Sequence, residues 1–231
     1  MIISAESIVL HSRRYGDSSR IVTLYTRELG KVAVVAKGVR TMKSTISAAL
    51  EPLSHCRCTI YHGKNKELHT LSQAESITQR RNLTTLEHLQ SGLMMCEAII
   101  RTQAQEQAEP DVFELLRKAL EVLDAAPEDQ AYSISVAMRC RLAEVMGFGL
   151  QFVPPREQAS VFIDVTDGSV APAGIGVQMT RSAYGGMYAS RRGQWTLVSE
   201  ADKLEIESIL SLYFSHHLEK RIVSQTYSHL R

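Results

Sequence analysis

Residues 7–36, SIVLHSRRYGDSSRIVTLYTRELGKVAVVA, decide the architecture of the first part of the chain. Two β-branched segments, 7–10 and 20–25, flank the turn cluster Tyr15-Gly-Asp-Ser-Ser19, and a third, 31–36, follows Gly30 directly. Val, Ile and Thr are stiff at χ1 and pack well on a pleated surface, while Gly and Asp supply turn conformations. This is strand, turn, strand, turn, strand. Working outward, 53–61 alternates, with Cys56, Cys58 and Ile60 on one face and His55, Arg57, Thr59 and Tyr61 on the other. A turn at 62–66 and a fifth strand over 67–77 complete the set. Five short strands in about 75 residues, with one longer connection after the third, suggest a small closed barrel of the OB type. An SH3-like barrel has the same periodicity and stays open as an alternative.

From Asn82 the period becomes helical. Thr84-x-x-Glu87 reads as a capping box ahead of Leu86, Leu89, Leu93, Cys96 and Ile100. Pro110 opens a second helix striped with Val112, Leu116, Ala119 and Leu123. A third, over 128–146, is apolar on two faces and stops at Gly147, so it should be the most buried. Pro154-Pro155 ends the helical run, 161–165 looks like a strand, and Asp167-Gly168 is a hairpin signal. The glycine-bearing stretch 186–198 reads as irregular strands. Ser199-x-x-Asp202 then caps a last helix lined by Ile206, Ile209, Tyr213 and His217. The expected fold class is α+β: an OB-fold barrel over 1–80, then a helical domain over 81–231 carrying a β-rich insertion at 148–198.

Charge separates the same two parts. Net charge is +1, but residues 1–80 hold 12 Lys and Arg against 6 Asp and Glu, while 81–231 hold 14 against 19. Arg13, Arg14, Arg20, Arg27, Lys31, Lys37, Arg40 and Lys43 place eight cations within 31 residues, opposed only by Asp17 and Glu28. Cations interleaved with strands on a small barrel suit a phosphate backbone, because each neutralised phosphate releases counterions; a solvated barrel surface is the bland alternative. Gly38, within Lys37-Gly-Val-Arg-Thr-Met-Lys43, allows a tight turn followed by a cationic loop. Aromatic stacking platforms are few: the first 112 residues hold only Tyr15, Tyr25 and Tyr61. Binding should therefore be mainly electrostatic. Tyr25 reads as core, and Tyr15, in a turn, as the better stacking candidate.

Catalytic constellations are missing from the sequence. It contains no G-x-x-x-x-G-K-[ST], G-x-S-x-G or H-E-x-x-H. His216 and His217 are adjacent and point about 100° apart on a helix, unlike the i, i+4 pair that chelates metal. Cys56, Cys58, Cys96 and Cys140 include no C-x-x-C pair and read as free, buried thiols. The expectation is a protein that is not an enzyme and has no cofactor and no metal. No apolar run approaches the roughly 20 residues needed to cross a bilayer, and the amino-terminal segment reads as a strand rather than a leader. A cytoplasmic, nucleoid-associated location follows. Arg139 and Arg141, on the apolar third helix, could receive an acidic partner peptide; surface arginines with snorkelling stems are the plain alternative.

The same residues resemble the RecO family of bacterial recombination mediators. Its opening pattern is a strand ending in V-L, a Y-G-[DE]-x-[DS] turn, a strand ending in L-x-T, a Leu-Gly-Lys turn and A-K-G-x-R-x-x-K-S. All of these stand here in order, through Ser44. Looser matches are Phe113-x-Leu-Leu, Gly147 after a leucine-rich helix, and Tyr213-x-x-x-His217-Leu with Ser224 beyond. The resemblance implies an OB-fold barrel and a role in recombination repair. It implies binding of single- and double-stranded DNA, strand annealing, engagement of the C-terminal tail of single-strand-binding protein, and action with RecR that helps load RecA. Family DNA contacts on A-K-G-x-R carry over to Lys37, Arg40 and Lys43. Many members hold zinc on four cysteines after the Leu-Gly helix; residues 148–173 contain none, so the resemblance implies a zinc-free variant. The helix before Gly147 also departs from the usual R-F-E-L-R-L-L. A protein-interaction adaptor without nucleic-acid binding and an RNA-binding OB protein are the competing classes.

Overall fold

A computed structural model describes residues 1–39, 45–63, 66–80, 83–155 and 159–228, with only the backbone of 45 and 220–228. Five strands, β1 (Ile2–Tyr15), β2 (Ser19–Thr26), β3 (Gly30–Ala36), β4 (His55–Tyr61) and β5 (Leu68–Thr78), close into a barrel in the order β1-β2-β3-β5-β4. β3 and β5 pair in parallel while the other neighbours are antiparallel. This is the OB arrangement, and it resolves the choice that periodicity left open. β1 serves two partners: residues 2–8 pair with β4 and 7–15 with β2, and a register shift between Val9 and His11 bends the strand between them. Alternate residues of β2, β3 and β4 fill the interior, among them Val22, Leu24, Val32, Val34, Cys56, Cys58 and Ile60. The short α1 (Thr45–Ala49) ends in Ala49, which with the following Leu50 is fully buried in the same core.

The chain divides into two compact units, Met1–Ala126 and Pro127–Arg231. The compact units thus part some 45 residues beyond the point where strand pattern gives way to helix pattern, because α2 (Leu86–Thr102) and α3 (Pro110–Ala125) fold with the barrel.

α2 corrects two expectations. Its N-cap is Thr85, whose hydroxyl accepts from the His88 N–H, so the Thr84–Glu87 capping box does not form. The leucine stripe also faces outward: Leu86 is 64% exposed, and Leu89 and Leu93 are exposed with it. The buried face is instead His88, Ser91, Gly92, Met95, Cys96 and Ile99. Close approach decides the rotation. A Cβ on Gly92 would stand 2.6 Å from a Leu53 methyl, so only the small-residue face fits against the barrel. His88 fixes the same rotation, bonding the Thr85 hydroxyl at 2.8 Å and the Ala126 carbonyl at 3.1 Å.

In the second unit a 3-10 turn over Glu128–Gln130 leads into α4 (Ala131–Val145), which is buried on nearly every side and terminates before Gly147, at φ +85°. β6 (Ser160–Ile163), β7 (Val170–Ala171) and β8 (Val177–Thr180) form a sheet in the order β7-β6-β8. The expected irregular strands over 186–198 are not observed. Residues Arg181–Arg191 form α5, capped by the Thr180 hydroxyl on the Ala183 N–H. Gly185 and Gly186 weaken intrinsic helix propensity, but packing overrides it. Ala183, Tyr184, Met187 and Ser190 are buried, and the Ser190 and Ser133 hydroxyls meet at 2.6 Å. α6 (Glu200–Ser228) begins at Ser199, whose hydroxyl accepts from the Asp202 N–H. Among the described residues no helix is long and apolar enough to cross a membrane.

Candidate nucleic-acid interface

Strand register sorts the basic residues of the barrel. Arg14 pairs with Arg20 across β1 and β2, and Arg20 with Ala36 across β2 and β3, so Arg14, Arg20 and the following Lys37 gather at one end of the barrel. Arg13 pairs with Ile21, and Ile21 with Val35. Side chains opposite one another share a face. Arg13, Ile21 and Val35 thus line the outer surface, and Arg14 and Arg20 continue the inner row past Ala36 to the barrel mouth. Arg13, Arg14 and Lys37 are exposed and carry no ion pair among the described residues. Gly38, at φ +70°, turns the chain immediately after Lys37. Tyr15 stands in the adjoining hairpin, 52% exposed, whereas Tyr25 is wholly buried. Arg20 is held by Glu51, just beyond α1, at 2.7 Å. This is an exposed pair on the carboxylate side, of a kind that contributes little and can be exchanged for a phosphate.

The other two cations of β2 and β3 have a different fate. Arg27 lies seven residues past Arg20, about 23 Å along an extended strand. Its guanidinium bonds Glu6 at 3.2 Å, also bonds Glu114 of α3, and covers the Phe113 ring at 4.8 Å. Burial alone would lower its pKa, but the carboxylates outweigh that and hold it above the ordinary range. The Lys31 ammonium donates to the Ile100 carbonyl of α2 at 2.6 Å, and burial lowers its pKa. These two side chains fasten helices to the barrel. Arg40 and Lys43 lie outside the described residues.

Arg139 is similarly engaged. It is 6% exposed, and its guanidinium makes two bonds of 2.7 Å to Glu207 and a third to the Ser135 carbonyl. Burial works against its charge, but the Glu207 carboxylate more than offsets this. Only Arg141, exposed and without an ion pair among the described residues, remains available to a partner.

Sequence reasoning missed three residues that the fold brings together: His62 after β4, His69 in β5 and Glu106 in the α2–α3 connection. Nothing in their spacing announced them. Cys56 and Cys58 are buried as expected, their sulfurs 3.5 Å apart inside the barrel. His216 and His217 meet edge to face, and His217 stacks on Phe148.

Comparison with known proteins divides the chain where the strand pattern ends, not where the compact units part. Residues 1–80 match the profile Recombination protein O N terminal, and residues 83–153 match Recombination protein O C terminal. A DNA repair protein RecO of a Nocardioides species is 31% identical over 251 residues, spanning 98% of this chain and 99% of that protein. The chain belongs to the RecO family. The RecO protein of Salinibacter ruber is 31% identical over 74% of this chain and 68% of its own length. That of Heliobacterium modesticaldum is 33% identical over 62% of this chain and about half (51%) of its own length. The N-terminal RecO match ends two residues after β5, so it contains the whole barrel and both groups of cations.

Proposed function

We propose that this RecO-family chain is a DNA-binding mediator of recombination repair that anneals single strands without covalent chemistry. In this reading it binds the tail of single-strand-binding protein and, with RecR, helps load RecA, working in the cytoplasm at the nucleoid. The observation that carries the DNA-binding part is the gathering of Arg13, Arg14 and Lys37 at one barrel end with no ion pair among the described residues, beside an exchangeable Arg20. A cationic surface offsets repulsion between two phosphate chains while leaving base edges free to pair. The relatives' shared name, DNA repair protein RecO, supports the repair role. Arg40 and Lys43 extend the same basic segment in sequence.

Annealing of complementary strands coated with single-strand-binding protein tests the whole reading. The chain should accelerate it, and replacing Lys37, Arg40 and Lys43 with Ala should weaken DNA binding for all sequences alike. A chain that binds neither strand at low salt acts instead as a protein adaptor, and one that prefers RNA in competition belongs to translation.

A further inference from the structure

We infer that His62, His69 and Glu106 form a site for a divalent transition metal of the zinc class, clasping the β4–β5 turn to the α2–α3 connection. Three separate segments converge there. His69 Nε2 lies 2.7 Å and His62 Nε2 3.3 Å from the same oxygen of Glu106, and the two rings stack at 4.2 Å. The three donor atoms all fall within 4.8 Å of one another. Ligands held tetrahedrally at about 2.0–2.1 Å from zinc sit roughly 3.3–3.4 Å apart. The His62 contact already has that spacing. The His69 contact is a hydrogen bond, and opens by about 0.6 Å when an ion replaces the proton between the two atoms. Two imidazoles and a carboxylate suit zinc, cobalt or nickel and fit poorly to magnesium or calcium, which take oxygen donors.

The donors are held in place before any ion arrives. Glu106 sits at φ +53°, a left-handed conformation unusual for Glu, and its N–H is fixed by the Lys31 carbonyl at 2.9 Å. The His62 N–H bonds the Met1 carbonyl at 2.8 Å, and the His69 ring is almost wholly buried. A cavity of about 260 Å³ beside the two rings, bordered by Tyr61 and Thr70, gives room for a water as fourth ligand. Two features limit affinity. Lys66 lines the same cavity and must turn outward. Coordination through Nε2 leaves the remaining ring proton of His69 on Nδ1, which now accepts the Gly63 N–H at 3.3 Å, so that contact lengthens. The site uses none of the proposed DNA-contacting residues and lies at the other end of β1, where Ile2 pairs with Tyr61.

The test is titration of the EDTA-treated, desalted chain with zinc chloride by calorimetry, repeated with cobalt(II) followed by its visible absorption. One ion per chain, the spectrum of four-coordinate cobalt and a zinc-dependent rise in melting temperature are expected. His62→Ala and Glu106→Gln should each weaken binding by at least about 10- to 100-fold and abolish the zinc-dependent rise. Melting in EDTA checks that both variants fold; should Glu106→Gln not fold, His62→Ala carries the result. No saturable binding, or binding left intact in a folded His62→Ala chain, overturns the assignment.

Discussion

The two ends of β2 and β3 carry similar charge and do opposite work. At the Ser19–Arg20 and Ala36–Lys37 end, Arg13, Arg14 and Lys37 meet solvent with no ion pair among the described residues, and Arg20 has one exchangeable carboxylate. At the Thr26–Gly30 end, Arg27 and Lys31 are fixed to α3 and α2 by a carboxylate, an aromatic ring and a backbone carbonyl. What differs is what packs nearby: α2 and α3 draw in the cations at one end, whereas at the other a single exposed carboxylate, Glu51 just beyond α1, meets Arg20. A basic stretch therefore defines an interface only after the rest of the chain has drawn off the cations it needs.

The contrast can be broken or sharpened by substitution. The largest effect belongs to the most committed cation. Glu207→Ala leaves the buried Arg139 guanidinium unpaired and should destabilise the chain by roughly 3–5 kcal/mol, read by urea unfolding. A loss below 1 kcal/mol would mean the pair is not buried as described. Arg27→Ala comes next. It strips Glu6 and Glu114 of their shared partner and should cost about 1 kcal/mol, with DNA affinity unchanged in a filter-binding assay. An affinity loss there would erase the distinction between the two ends.

Acid sensitivity is a third probe of the committed end. Burial of Glu6 would raise its pKa, but bonds to His55 and Arg27 hold it below the ordinary 4.5. Its contribution is thus present above about pH 4.5 and lost as pH falls through the lower folded value. Burial lowers the His55 pKa from 6.5, despite the Glu6 bond, so protonating His55 below that pH also favours the unfolded chain. Melting temperature should drop between pH 6.5 and the acid limb. Glu6→Gln should lower it at neutral pH and flatten the drop; an unchanged acid profile would count against the network. The smallest effect is at the open end, where Glu51→Gln releases Arg20 and should raise DNA affinity only a few-fold.

Much of the barrel was legible because its signals are local: alternation through Cys56, Cys58 and Ile60, and turns at Gly16 and Gly30 that need left-handed backbone. The rotation of α2 was not. Leu86, Leu89 and Leu93 outweigh Ser91 and Gly92 on any hydrophobic scale, yet the Leu53 methyl demands a face without bulk. α5 escaped because Gly185 and Gly186 argue locally against helix, while its buried face is set by distant partners such as Ser133. The fate of Arg27 depends on Glu114, 87 residues away, and the His62–His69–Glu106 cluster on three separate segments. Long-range pairing of this kind leaves no mark on spacing.

The most direct test of the central claim is the salt dependence of DNA affinity in the triple variant Arg13→Ala, Arg14→Ala, Lys37→Ala, set beside Arg27→Ala. Each phosphate contact contributes about 0.7 to the log–log slope on single strands and about 0.9 on duplex. The triple variant should flatten the slope by roughly 2–3 while Arg27→Ala keeps the parental slope. An unchanged slope in the triple variant, or an equal flattening in Arg27→Ala, would contradict the account.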